Sequence, residues 1–190
     1  MKNLGRILMI CGALVLLLIF LFPIWSITLV APQYPEGITM YIWLNQITGD
    51  TPSTLQNINI LNHYVGMKYI EPDSIPELTY FPYIIYAFTG LGLLFGIIGN
   101  RKLYLVWVIL LLLTSILGIY DFYLWEYDYG HNLSDTAPIK IEGMVYQPPL
   151  IGEKYLLNFL AKSYPHTGAI FYALGFVFSF FAFYFTRKKK

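Results

Sequence analysis

Read as runs of apolar and polar positions, the chain divides into six long stretches. Four are apolar, each close to the length of about 20 residues that a helix needs to cross a hydrocarbon core of roughly 30 Å. The first occupies about Ile7–Trp25 within residues 1–25, and the others occupy 81–99, 103–124 and 167–186. None carries Asp, Glu, His, Lys or Arg near its middle. Pro82 suits a first helical turn, where its missing N–H costs nothing. Only Asn100, Arg101 and Lys102 separate the second run from the third, so residues 100–102 form a tight hairpin.

The two remaining stretches, 26–80 and 125–166, are polar and together hold about 95 residues, enough for one modest domain. ITLVAP and ITMYIWLNQI are rich in β-branched and aromatic residues and predict strands, with a turn between them at Pro35-Glu36-Gly37. Thr51-Pro52-Ser53 then supplies a cap for a helix in which Leu55, Ile58, Leu61 and Val65 recur at helical spacing. In the second stretch, polar turns at Gly130–Ser134 precede a strand-like Ile139–Ile141, and Gly143 and Pro148-Pro149 break the chain. The apolar piece YLLNFLA, Tyr155–Ala161, suits a membrane surface. The expected domain is a small mixed sheet with one helix on it. The predicted fold class is therefore an integral membrane protein, mainly α: a four-transmembrane-helix bundle with a small mixed α/β extracytoplasmic domain built from two loops.

Composition agrees. Of 190 residues, 57% are apolar and 12% charged, against about 45–50% and 25% in soluble domains. That excludes a disordered chain, and a nucleic-acid module would need a basic face. Charge placement says more than the formal net of +1. Lys2, Arg6, Arg101, Lys102 and the tail Arg187–Lys190 put eight cations and no acid on one side of the spans. The other side holds four lysines and all eleven acids, a net of −7. Cations flanking spans stay in the cytoplasm, which predicts a multi-pass protein of a bacterial inner membrane with both termini cytoplasmic and both polar segments outside. The basic tail, 187–190, reads as an anchor on anionic lipid. The first run is read as a retained span, because no small-x-small cleavage site follows it.

Candidate chemistry is sparse. One cysteine, Cys11, leaves no intrachain disulfide and no Cys-based zinc site. Ion-coupled transport would want charges inside the spans, and intramembrane b-type haem would want paired histidines there. Gly92 and Gly96, and Gly175 with Ser179, allow close helix approach, read here as packing within one bundle rather than dimerisation. Asp121 and Glu126 are read as an interfacial stop closing the third span. Outside the spans, His63 and Met67 stand four residues apart and would share a helix face if helix ran through Gly66. With His131 and Met144 they make a set of soft and imidazole ligands suited to copper; otherwise they are ordinary core and turn residues. Asp128, His131 and Ser134 could be arranged as a hydrolytic triad, but three such residues in a turn are read as capping groups. The chain is expected to be non-catalytic.

Four strings in the polar segments carry a resemblance: PQYPEG (Pro32–Gly37), NINILNHYVGM (Asn57–Met67), YDYGHNLS (Tyr127–Ser134) and GMVYQPPLIG (Gly143–Gly152). With the span pattern they resemble NosB, a small four-span bacterial membrane protein found beside nitrous-oxide reductase genes in Bacteroidetes-type clusters. The resemblance implies an accessory role in denitrification, in making or supplying electrons to a periplasmic copper enzyme. It implies a protein partner and raises the case for copper without fixing ligands. The alternative is a structural subunit or anchor of a respiratory complex with no metal site.

Overall fold

The computed structural model describes residues 2–186, with side chains from residue 3; Met1 and the basic tail at 187–190 lie outside the described residues. Four of its helices are long and apolar enough to cross a membrane: Asn3–Leu21, Glu77–Ile98, Arg101–His131 and Thr167–Phe185. The first comprises α1 (Lys2–Val15), continued by tighter 3-10 turns over Leu16–Leu21. The others are α3 (Glu77–Ile98), α4 (Arg101–His131) and α5 (Thr167–Phe185). Between the first two lies a shorter helix, α2 (Thr54–Val65).

The bundle is held by shape and by the few polar side chains inside it. Met9, Ala13, Leu16, Tyr104, Trp107, Leu111 and Ala182 are all fully buried. Trp107 donates its indole N–H to the Phe88 carbonyl at 3.0 Å, and Tyr172 donates its hydroxyl to the Leu111 carbonyl at 2.8 Å. The small residues serve contacts within the chain. A Cβ on Gly92 would stand 2.7 Å from that of Ala13, and one on Gly96 would stand 2.6 Å from Ile10 Cγ1. Gly12 packs against Ser179 and Gly175 in the same way. Large aliphatic side chains such as Ile97, Ile116 and Leu117 are exposed on the outside of the bundle, which is compatible with lipid contact.

At one end of the bundle sits a five-stranded sheet in the order β3-β2-β1-β5-β4. Its strands are β1 (Trp25–Ala31), β2 (Tyr34–Ile42), β3 (Ile47–Gly49), β4 (Gly152–Leu156) and β5 (Phe159–Pro165). Every pairing is antiparallel, so the sheet is not mixed. The central pair explains how it is mounted. β1 begins four residues after the first span, β5 ends two residues before α5, and Trp25 pairs with Pro165 across them. The sheet thus continues two packed spans. His166 N–H donates to the Ile24 carbonyl at 2.8 Å and Gly168 N–H to the Pro23 carbonyl at 2.7 Å, closing the junction.

Several expectations are corrected. The first hairpin turns at Pro32-Gln33, with Ala31 paired to Tyr34, and Pro35–Gly37 lie within β2. Gly37 takes φ 83° there, in the left-handed region that glycine tolerates. Ile139–Ile141 is not a strand. YLLNFLA, expected on a membrane surface, forms the hairpin joining β4 to β5, with Leu156 opposite Phe159. α3 begins at Glu77, four residues early, so Pro82 is interior to it. The third helix does not end near Leu124: α4 continues to His131. At 1.5 Å per residue those 31 residues reach about 46 Å, well beyond a core of about 30 Å.

Candidate functional site

The overshoot of α4 builds the centre of the sheet domain. From Trp125 onward α4 contributes Trp125 and Tyr129 to the layer of side chains packed between the sheet and α2. Tyr129 is buried with Ile27, Ile38 and Met40 of the sheet and Ile58 and Leu61 of α2. Its hydroxyl donates to the Tyr69 carbonyl at 3.1 Å. Gly130 lies so close to the following loop that a Cβ there would meet Gln147 backbone at 2.3 Å. Tyr146 N–H donates to the Gly130 carbonyl.

The chain after α2 is folded back by side-chain amides. Gly66, at φ 84°, ends the helix with its N–H on the Asn62 and His63 carbonyls. Asn59 then clamps Ile70 twice, accepting its N–H at 2.7 Å and donating to its carbonyl at 3.1 Å. Asn62 donates to the Lys68 carbonyl at 3.2 Å. The loop after α4 is pinned to the same place, with Ser134 N–H on the Gly66 carbonyl and Ile139 N–H on the Tyr64 carbonyl.

Inside this layer is a cavity of about 70 Å³, lined mostly by aliphatic and aromatic side chains. Glu126 lines it and is 0% exposed. Neither of its carboxylate oxygens has a hydrogen-bond partner, and the Trp125 indole N–H and the Tyr146 hydroxyl, lining the same space, have none either. Burial away from water penalises the charged form and pushes the Glu126 carboxyl from an ordinary 4.5 up to about 8. Glu126 is thus enclosed by protein rather than reaching water or headgroups. The signal was present in the sequence: nothing between Leu124 and Gly130 breaks a helix, and Phe122, Glu126 and Tyr129 recur at spacings of four and three.

The four nominated metal ligands are spread over this domain. His63 is exposed on the last turn of α2, its ring stacked on Tyr69 at 6.1 Å. Met67 is half-buried beyond Gly66, so the two do not share a helix face. Both nevertheless line one solvent-facing hollow of about 170 Å³, with Ser134 and Thr136 on its far wall. His131 and Met144 do not line it. The His131 ring stacks on Tyr127 at 3.8 Å and its Nδ1 bonds the Tyr127 carbonyl at 2.9 Å, leaving Nε2 as its free nitrogen. Met144 packs near Val65, Tyr146 and Leu156, a cluster that Met67 also touches. Among the described residues no three His, Cys, Asp or Glu side chains converge on a metal-sized site. His63 and Met67 could share a soft ion at the surface; the full set of four does not close around one.

No known protein family, curated protein or solved structure matches the chain. Its chemistry must be read from its own groups. Asp128 does not reach for His131: it takes the Lys68 ammonium at 2.6 Å and the Asn132 amide, while Ser134 bonds Thr136. Hydrogen bonds from Lys68 and Asn132 hold the Asp128 carboxyl below the usual carboxylate range. A depressed carboxylate stabilises the fold above its unfolded pKa and loses that effect as pH falls through the folded one. Both partners are about half exposed, so Lys68→Ala should cost under about 1 kcal/mol near neutrality. Thermal melts at pH 7 and pH 3 should show the difference between wild type and variant shrinking toward zero in acid.

Proposed function

We propose that the chain is a non-catalytic accessory protein of a bacterial inner membrane that docks a periplasmic copper enzyme of the nitrous-oxide reductase system, or its maturation factors, on its outer face. The observation that carries the docking role is the mounting of the sheet on two packed spans through β1 and β5. A domain fixed in this way presents a surface of set position and orientation above the bilayer. That surface is rich in amphipathic rings, which interfaces favour: Tyr64, Tyr69, Tyr155 and Tyr164 are all exposed. It also carries most of the acids. The copper assignment rests on the four sequence strings given above and on the soft donors near Met67. The confinement of cations to the opposite side supports cytoplasmic termini.

Two measurements test this. A fluorescent protein fused after Lys190 should mature, and alkaline phosphatase inserted near residue 140 should be active; the reverse pattern would overturn the orientation. Tagged protein drawn from its native membrane in mild detergent should bring down a copper protein in fixed stoichiometry, by mass spectrometry and metal analysis. A free monomer would sink the docking role. A stoichiometric partner without copper would instead support the second reading, a metal-free structural subunit of a respiratory complex, which the spread of His63, His131 and Met144 over separate surroundings favours.

A further inference from the structure

The strongest unexplained feature is the buried carboxylate of Glu126 facing a cavity with no partner for either oxygen. Buried polar groups are almost always paired, and a lone one calls for an ion, a water or a functional role. The cavity is too small for an organic ring: about 70 Å³, against about 150 Å³ in an engineered cavity that takes benzene. It suits an occupant of one or a few atoms. Its donors narrow the choice further. Calcium and magnesium need about six or more oxygens, and besides Glu126 the side-chain oxygens of the lining are only the Asn62 amide and the Tyr129 and Tyr146 hydroxyls. Zinc sites draw on Cys and His, and the lining holds neither. What it does hold is two thioethers, from the buried Met40 of β2 and from Met67. Thioethers select soft ions. A monovalent cation that replaces the carboxyl proton, which passes to solvent, leaves the site neutral overall, so no uncompensated charge is buried.

We infer that this cavity binds one soft monovalent cation, Cu(I) being the biological case, through the Met40 and Met67 thioethers and the Glu126 carboxylate. Entry runs by way of Met67, which lines both this cavity and the solvent-facing hollow that holds His63. The site goes beyond docking and requires no partner, so it stands or falls separately from the complex proposed above. The three donors come from a strand, a post-helix loop and the end of α4, and a bound ion would tie these elements together.

The test uses the full chain purified in detergent under anaerobic conditions, with Cu(I) delivered from a competing chelator. One equivalent should be retained, with an X-ray absorption spectrum showing sulfur scatterers. Met40→Leu and Glu126→Gln should each weaken retention at least tenfold, while His63→Ala should change the equilibrium affinity by less than about twofold. Three results would each overturn the site: no retention against the chelator, a spectrum with only nitrogen and oxygen scatterers, or undiminished retention in both cavity variants. All measurements use a Cys11→Ser background, because the exposed Cys11 thiol is a competing soft ligand, and the spectrum of that protein decides the matter even where a cavity variant fails to fold.

Discussion

Metal-free protein carrying Glu126→Gln should melt at the same temperature across pH 5 to 8, while the metal-free wild type loses stability steadily over that range. In the folded protein the carboxyl keeps its proton up to about pH 8, whereas in the unfolded chain it gives it up near pH 4.5. Between those values the unfolded state binds fewer protons than the folded one, so stability falls as pH rises. The slope approaches about 1.4 kcal/mol per pH unit, giving a loss of roughly 3–4 kcal/mol between pH 5 and pH 8. For a chain of this size that is on the order of 10 °C in melting temperature. Glutamine has nearly the same shape and no charge to bury, so its curve should be flat over this range and lie above the wild type at pH 8. A wild-type curve that is flat from pH 5 to 8 would mean that water or a hidden donor already satisfies Glu126. Adding Cu(I) gives the reciprocal expectation, because an ion held only by the folded state raises its stability by mass action.

The reach of the sequence is clearest in the spans and poorest around Glu126, for one physical reason. A membrane span is declared by a single uniform rule, about 20 apolar residues in a row, and all four runs read from that rule are helices. Within the sheet domain the rules compete. YLLNFLA has helical periodicity, yet Leu157 at φ 57° and the pairing of Leu156 with Phe159 make it a hairpin, because β5 finds its partner in β1 more than 130 residues earlier. No local window contains that partner. Gly66 carries the same lesson in reverse. Helical spacing joined His63 to Met67, but a glycine in the left-handed region ends the helix between them. Met67 then lines the same cavity as Met40 and Glu126, from a strand and a helix remote in the chain. Of the nominated ligands only Met67 lines this cavity; Met40 lies in a strand-like run and Glu126 at the edge of an apolar one, and no local spacing marks either as a ligand.

The junction between sheet and bundle should be highly sensitive to a single added methyl group. Gly168 opens α5 against the exit of the first span. A Cβ there would stand 2.8 Å from both the Phe22 and the Pro23 carbonyl oxygens, and 3.0 Å from the Pro23 carbonyl carbon. All three are backbone atoms, so no side chain can swing aside. Gly168→Ala must therefore lift the first turn of α5 away from Pro23, straining the bonds from Gly168 N–H and His166 N–H that close the junction. Overpacking costs about 1–3 kcal/mol and each weakened hydrogen bond up to about 1 kcal/mol more, so a loss of roughly 3–4 kcal/mol is expected, again near 10 °C. Gly90 and Gly118 provide the control, since a Cβ on either meets nothing within 4 Å. Alanine at those positions should be neutral or raise stability by up to about 1 kcal/mol through helix propensity. If Gly168→Ala melts with the Gly90 and Gly118 variants, the sheet is not fixed to the spans as described. If it melts early, the same variant should also capture less of the docking partner, because the surface offered above the membrane would no longer hold its orientation.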